Sequence, residues 1–140
     1  MQSRAKDNLI VVRLFPSEDV LACLREVCGG YGVITAVALS GLGQLGEFEL
    51  GFFKEKGNYL PEKFTEPHEL LSLTGNIAWQ GDDFQFHLHA VLGSDKKQVV
   101  GGHFISGKVS VTAEIVLLKS GLKVKRKIEE ETGLAGMFLD

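Results

Sequence analysis

The amino-acid sequence predicts an α+β fold: a mainly antiparallel sheet with one or two helices, in a single domain. Two observations carry this prediction. Segments in which apolar and polar residues alternate recur along the chain, and only one segment shows clear helical periodicity. The predicted strands follow one another through short turns, which favours antiparallel pairing. A chain of 140 residues has the length of one domain, and we expect its core to cover about residues 9–134.

The first predicted strand and the one clear helix come early in the chain. Residues 8–15 contain a run of β-branched apolar side chains and are predicted to form a strand. Ser17 is the predicted N-cap of the following helix, with acidic residues in the first turn. Apolar residues then recur at helical spacing until Gly29 and Gly30, which are expected to end the helix.

The rest of the chain is predicted to be strands and turns. The strands are residues 33–39, 47–53, 69–79 with breaks, 84–92, 99–105 and 109–118. Residues 54–67 contain two prolines and show no periodicity, so they are predicted to form a surface loop that could border a site.

Residues 41–46 match the G-x-G-x-x-G pattern of dinucleotide-binding proteins. Such a site needs a helix whose N-terminus faces the pyrophosphate. Residues 47–53 alternate instead like a strand, so we interpret residues 41–46 as a glycine-rich turn between two strands.

Three of the four histidines fall on two adjacent predicted strands. His87 and His89 share one face, about 7 Å apart along the strand. A symmetric hairpin centred on Asp95 places His103 opposite His87, with Cβ atoms roughly 5 Å apart. Imidazole is the commonest protein ligand of transition metals, so this pattern predicts a metal site at His87, His89 and His103. The alternative is that these histidines only form hydrogen bonds, and a one-residue slip near Gly101 would turn His103 to the other face.

Glu114 lies in the last long strand, which is expected to pair with the strand that carries His103. It is the candidate catalytic base, metal ligand or acid that orients a ligand, and the alternative is an ordinary surface glutamate. We identify no other candidate catalytic residue.

Composition narrows the function further. The formal net charge of −3 provides no attraction for nucleic acid or for an anionic membrane. There is neither an apolar run of transmembrane length nor a signal peptide, so a cytoplasmic location is expected.

Cys23 and Cys28 are expected to be reduced and buried. The basic run 123–127 is followed by three glutamates, a balance typical of a solvated segment near the end of a domain.

Taken together, these segments resemble the plant and prokaryote conserved (PPC or PCC) domain in its stand-alone prokaryotic form. The resemblance covers about residues 9–134, and the matching blocks occur in the order of the family. The blocks are residues 41–46, 66–77, 87–93, 101–104, 112–115 and 131–134.

The resemblance implies a homotrimer, and a metal ion, zinc above all, held by the residues that correspond to His87, His89 and His103. Plant members also carry AT-hooks that bind DNA. This chain has no AT-hook, and residues 66–70 differ from the corresponding plant block. The resemblance to plant members therefore gives little support for DNA binding by this chain.

Three hypotheses follow from the sequence. The first is a trimeric protein with a three-histidine metal site, zinc or another divalent transition metal, that binds a small molecule or hydrolyses it. The second is a DNA-associated regulatory protein, and the third is a non-catalytic trimeric interaction module.

Overall fold

The computed structural model describes residues 1–139, which form one helix and nine strands. The elements in chain order are β1 (Gln2–Lys6), β2 (Leu9–Leu14), α1 (Val20–Gly30), β3 (Thr35–Glu55), β4 (Asn58–Phe64), β5 (His68–Gln80), β6 (Asp83–Gly93), β7 (Val99–Ser120), β8 (Val124–Ile128) and β9 (Ala135–Leu139).

Seven strands form one antiparallel sheet in the order β1-β2-β7-β6-β5-β3-β4, and β7 pairs additionally with β3. β7 pairs with β6, β6 with β5, β5 with β3, and β3 again with β7. These four strands therefore form a closed ring of hydrogen-bonded neighbours. β8 and β9 form a separate hairpin. The predicted fold class, a mainly antiparallel sheet with one helix in a single domain, is confirmed.

One hydrophobic core is formed by the buried faces of the sheet strands together with the helix. Along β2, Ile10, Val12 and Leu14 are fully buried and alternate with exposed side chains, as a half-buried strand requires. The helix adds Leu24 and Val27 to the same cluster. No helix among residues 1–139 has the length and apolar character needed to cross a bilayer.

The helix begins two residues later than the sequence predicts. The side chain of Asp19, not Ser17, accepts a hydrogen bond from the backbone nitrogen of Ala22 at 2.8 Å. Ser17 instead has a φ of 72°, and its backbone nitrogen donates to Val109 at 2.8 Å. The prediction of Ser17 as the cap was wrong because this hydrogen bond holds Ser17 against β7, and the helix begins only after that contact.

The predicted turn at residues 41–46 was also wrong. Residues 33–39 and 47–53 belong largely to one continuous strand, β3, with shifts of register against β7 in between. At Gly43 the φ is 149°, and a Cβ atom would lie 2.1 Å from the carbonyl oxygen of Thr112. The glycines therefore let β3 bend while it stays close to β7. The predicted strands 99–105 and 109–118 are likewise one strand, β7.

The predicted loop at residues 54–67 contains a strand, β4, paired with β3 at the edge of the sheet. Pro61 lies opposite Gly51, a position that an edge strand tolerates because one side of it needs no ladder hydrogen bonds. Nearly all of β4 is exposed, so the strand carries no alternating apolar pattern, and the prediction of a loop was wrong for that reason.

Candidate metal centre

β6 places two histidines on the face of the sheet that points away from the core. Phe84, Leu88 and Ala90 are buried, whereas His87 and His89 alternate with them and point to the opposite side. The period-two prediction for these two side chains is confirmed.

His103 is opposite His89, not opposite His87 as the sequence analysis predicted. The backbone nitrogen of Ser94 donates to Gln98 and that of Lys97 to Ser94, so the turn is centred one residue later than Asp95. The residue opposite His103 is therefore His89 and not His87, a shift of two residues. Because side chains alternate with a period of two, a shift of two keeps His103 on the same face.

The three imidazoles form a nearly equilateral triangle. Their ring centroids are 5.3 Å apart for His87 and His89, and 5.5 Å apart for each of these with His103. One nitrogen from each ring lies within 4.8 Å of the other two. Nitrogens that share one tetrahedral zinc ion at about 2.1 Å lie roughly 3.4 Å apart, so small side-chain rotations suffice for this donor set to fit zinc.

The pKa values of two of these histidines are lowered, which favours the neutral form that a metal requires. Burial lowers the pKa of His87, with further lowering by the positive charges of Arg126 and His89. Burial also lowers the pKa of His103, helped by His87 and His89. Since a ligating imidazole must be unprotonated, both shifts favour metal binding near neutral pH.

Glu114 does not join this cluster within one chain. It lies eleven residues after His103 on the same strand, a separation on the order of 30 Å. Its cross-strand partners are Arg13 and Leu42. The expectation that it lies on a strand paired with that of His103 was wrong, because β7 continues through both residues.

The histidines form part of the wall of a cavity of about 800 Å³. The other described residues that line it are mostly apolar or aromatic, and none carries a carboxylate. They are Gly51, Phe52, Phe53, Tyr59, Gln85, Phe86, Gly102, Ile105, Arg126, Leu134 and Ala135. A predominantly apolar cavity with a few convergent polar groups is typical of a small-molecule site.

Tyr59 reaches the histidines from β4, the strand that the sequence analysis took for a loop. Its ring lies edge-on to that of His103, with centroids 6.1 Å apart. Gly51 pairs with His103, and a Cβ atom on Gly51 would lie 2.2 Å from the Tyr59 ring. Only a residue without a side chain lets the tyrosine occupy this place. Burial raises the pKa of Tyr59, so its hydroxyl stays protonated.

Arg126 is the charged residue of the cavity that the sequence analysis missed. The basic run was predicted to be solvated, but Arg126 lies on β8 and only 9% of it is exposed. The side chain of Gln80 bridges its backbone, accepting from its nitrogen and donating to its oxygen at 2.7 Å each. These bonds fasten the β8–β9 hairpin to the end of β5.

Comparison with known proteins identifies the family. The family model described as the Plants and Prokaryotes Conserved (PCC) domain matches residues 1–120. The chain belongs to the PCC-domain family. The resemblance inferred from the sequence is confirmed.

Solved structures share this fold over nearly the whole PCC chain. A plant- and prokaryote-conserved protein from Pyrococcus horikoshii is 27% identical with a TM-score of 0.81, and covers 98% of this chain and 96% of its own. A metal-containing protein from Archaeoglobus fulgidus is 28% identical with a TM-score of 0.84 and the same coverage of both chains. A proposed DNA-binding protein from Bacteroides thetaiotaomicron has a TM-score of 0.92 over 99% of this chain and 96% of its own, but at 24% identity it shows the fold alone.

A curated relative is much longer than this PCC chain. The bifunctional protein GlmU from Synechococcus sp. (strain JA-2-3B'a(2-13)) is 31% identical over 110 residues, which is 78% of this chain. The chain spans only 16% of the length of that protein.

A signal for Arg126 was present in the sequence of this PCC domain. Val124, Arg126 and Ile128 alternate with three lysines, which is the period-two pattern of a strand with one face turned inward. In the structure Val124 and Arg126 are the buried members of β8. The neighbouring lysines and glutamates concealed this pattern.

Proposed function

We propose that this PCC-domain protein is a homotrimer that binds one divalent transition metal ion per chain, zinc above all, and takes a small molecule into the cavity beside it. The observation that carries the proposal is the triangle of His87, His89 and His103, whose ligand atoms lie within 4.8 Å of one another. Three neutral imidazoles are the donor set of open zinc sites.

A related protein supports the choice of a metal. The Archaeoglobus fulgidus protein, 28% identical over nearly the whole chain, is described as metal-containing. The cavity also supports an open coordination position, because the histidines are part of its wall.

With three protein ligands, a zinc ion would leave one position for water or a ligand and would lower the pKa of that water to about 7. Around that position, Tyr59 offers a protonated hydroxyl near His103. The described lining contains no carboxylate that could act as a general base. We therefore propose ligand binding as the primary role of the site, with hydrolysis by metal-bound water as the reaction to test.

The homotrimer is supported by an apolar surface on the outer face of β2, β7 and β3. Leu9 and Leu118 are direct cross-strand partners there, and Leu118 also pairs with Val37. With Val11 and Leu39, these side chains are between 41% and 49% exposed. Contiguous exposed apolar patches on a soluble domain typically mark an interface, and we propose that two further copies of the chain cover this one.

The metal content of protein purified without a histidine tag tests the proposal directly. Mass spectrometry is expected to find about one zinc ion per chain, and light scattering the mass of a trimer. The variant H87A/H89A/H103A should lose the metal, whereas Gln85→Ala, on the same face of β6, should retain it.

Three results would count against this proposal. Metal content unchanged in the triple variant would refute the histidine site. A metal-free trimer that survives chelators would favour an interaction module. Binding to A·T-rich DNA at low salt that weakens steeply as salt rises would favour a DNA-associated protein.

A further inference from the structure

Arg126 places a fixed positive charge in the wall of the same cavity as the three histidines. Only 9% of its surface is exposed. Burying an arginine is costly unless the charge meets a partner, so the nature of its partners indicates what the cavity is suited to bind.

The partners of this guanidinium are neutral oxygens. Nη1 donates to the backbone oxygen of Ala135 at 3.0 Å, and Nη2 donates to Oδ1 of Asn76. A guanidinium has five N–H donors, so these two bonds fix its position and leave three donors over.

The charge itself is not neutralised within the part of the chain that the structure describes. No carboxylate among residues 1–139 forms an ion pair with Arg126. Burial lowers the pKa of this guanidinium, with no acidic neighbour acting in the opposite direction. A bound anion would supply the missing partner.

We propose that Arg126 binds the carboxylate of a small, apolar monocarboxylic acid whose body lies along the aromatic wall of the cavity. This proposal deepens the proposed function, because it rests on the same cavity and names the class of ligand that would lie beside the metal. A planar guanidinium with free N–H groups matches a carboxylate in both shape and charge.

The lining favours one carboxylate over a phosphate. Among the described residues, Arg126 is the only lysine or arginine in the wall, so in the metal-free protein one fixed charge matches one negative charge. Phe52, Phe53, Phe86 and Ile105 supply apolar surface for the rest of the molecule. The lack of an acidic residue in the described wall removes the repulsion that an anion would otherwise meet.

Calorimetric titration with phenylacetate tests this proposal, with phenylacetamide as the neutral probe of nearly the same shape. Both are titrated into metal-free protein and into zinc-loaded protein, so that a carboxylate bound only by the metal is recognised. We expect phenylacetate to bind the metal-free wild-type protein at millimolar concentrations, and phenylacetamide to bind at least about tenfold more weakly, as expected when a charge-assisted hydrogen bond is lost.

Two variants locate the binding at Arg126. Arg126→Gln removes the charge, and Asn76→Asp keeps the arginine but places a carboxylate where its Nη2 already donates. Both should weaken phenylacetate binding by about tenfold or more. The second variant retains the hydrogen bonds that fasten the hairpin, so it tests the charge even if the first variant unfolds. Arg13→Gln, the same substitution at an arginine on β2 that does not line the cavity, is the control that should leave binding unchanged.

The outcomes separate this proposal from the metal site. Phenylacetate that binds only zinc-loaded protein, with equal affinity in all variants, would overturn the role of Arg126 while the metal site stands. Arg126-dependent binding by a protein that takes up no zinc when zinc is added would support the carboxylate site and refute the metal site. Equal affinity for phenylacetate and phenylacetamide, or no binding of phenylacetate to wild-type protein, would overturn the carboxylate site.

Discussion

His89 and His103 lie directly opposite each other on β6 and β7, with ring centroids 5.5 Å apart. His87 lies two residues before His89 on the same face, 5.3 Å from it and 5.5 Å from His103. One hairpin therefore supplies all three imidazoles, and their separation depends on the register of that hairpin alone.

Replacing the cross-strand histidine should abolish tight metal binding. We expect His103→Ala to weaken zinc affinity by more than about 100-fold, since loss of an outer-shell partner already costs about 10- to 100-fold. Competition with a chromogenic chelator measures the change. His68→Ala is the matched control, because His68 lies apart from the triangle beside Phe48 and Phe64. Similar losses in both variants would contradict the assignment of His103.

The metal-free protein should lose stability as the pH falls below about 6.5. The folded-state pKa values of His87 and His103 are lowered, so in that range the unfolded chain takes up protons that the folded chain does not. The free energy of unfolding therefore falls with pH. Urea unfolding at about pH 7.5 and about pH 5.5 measures the effect.

The double variant H87Q/H103Q is the control for this pH dependence. It lacks both depressed groups, so its stability should change less over the same range. The depressed carboxyl groups of Glu18, Glu47 and Asp83 titrate at lower pH and contribute little there. An identical loss in wild type and variant would show that other groups carry the effect.

Leu88 supports the three histidines from the core side of β6. It is fully buried between the two outward-facing histidines, so Leu88→Ala should lower the free energy of unfolding by about 2–5 kcal/mol. Gln85→Ala, exposed on the same strand, should change it by less than about 0.5 kcal/mol. Chemical denaturation of both variants checks this, and equal effects would contradict the assigned faces of β6.

A methyl group on Gly51 should displace Tyr59 from His103. The added Cβ atom would occupy the position of the tyrosine ring, so Gly51→Ala should remove the ring-current shift of the His103 protons. Tyr59→Leu should remove it equally, and NMR spectra of the histidine side chains measure both. A His103 signal unchanged in Gly51→Ala would show that Tyr59 packs elsewhere.

The apolar outer face should hold the proposed trimer together. Leu118→Glu places a charge against Leu9 and Val37, so it should convert the proposed trimer to monomer in light scattering. Leu122→Glu is the control, because Leu122 is exposed but follows the end of β7. A trimer mass retained in Leu118→Glu would place the interface on another surface.

The sequence by itself determined that the histidines lie on strands and that they share one face. The alternation of Phe84, His87, Leu88 and His89 is a local property, because neighbouring side chains on any strand point to opposite sides. A register error of two residues does not change it, so the three histidines share one face even though His103 pairs with His89 and not with His87.

Only the tertiary structure decided what surrounds the histidines. Arg126 reaches Asn76 across 50 residues of sequence, and Tyr59 reaches His103 from an exposed edge strand without an apolar pattern. Burial of a charge and contact of an edge residue both depend on which distant strand lies alongside. Local periodicity carries no information about that, because long-range contacts are set by how the whole sheet closes.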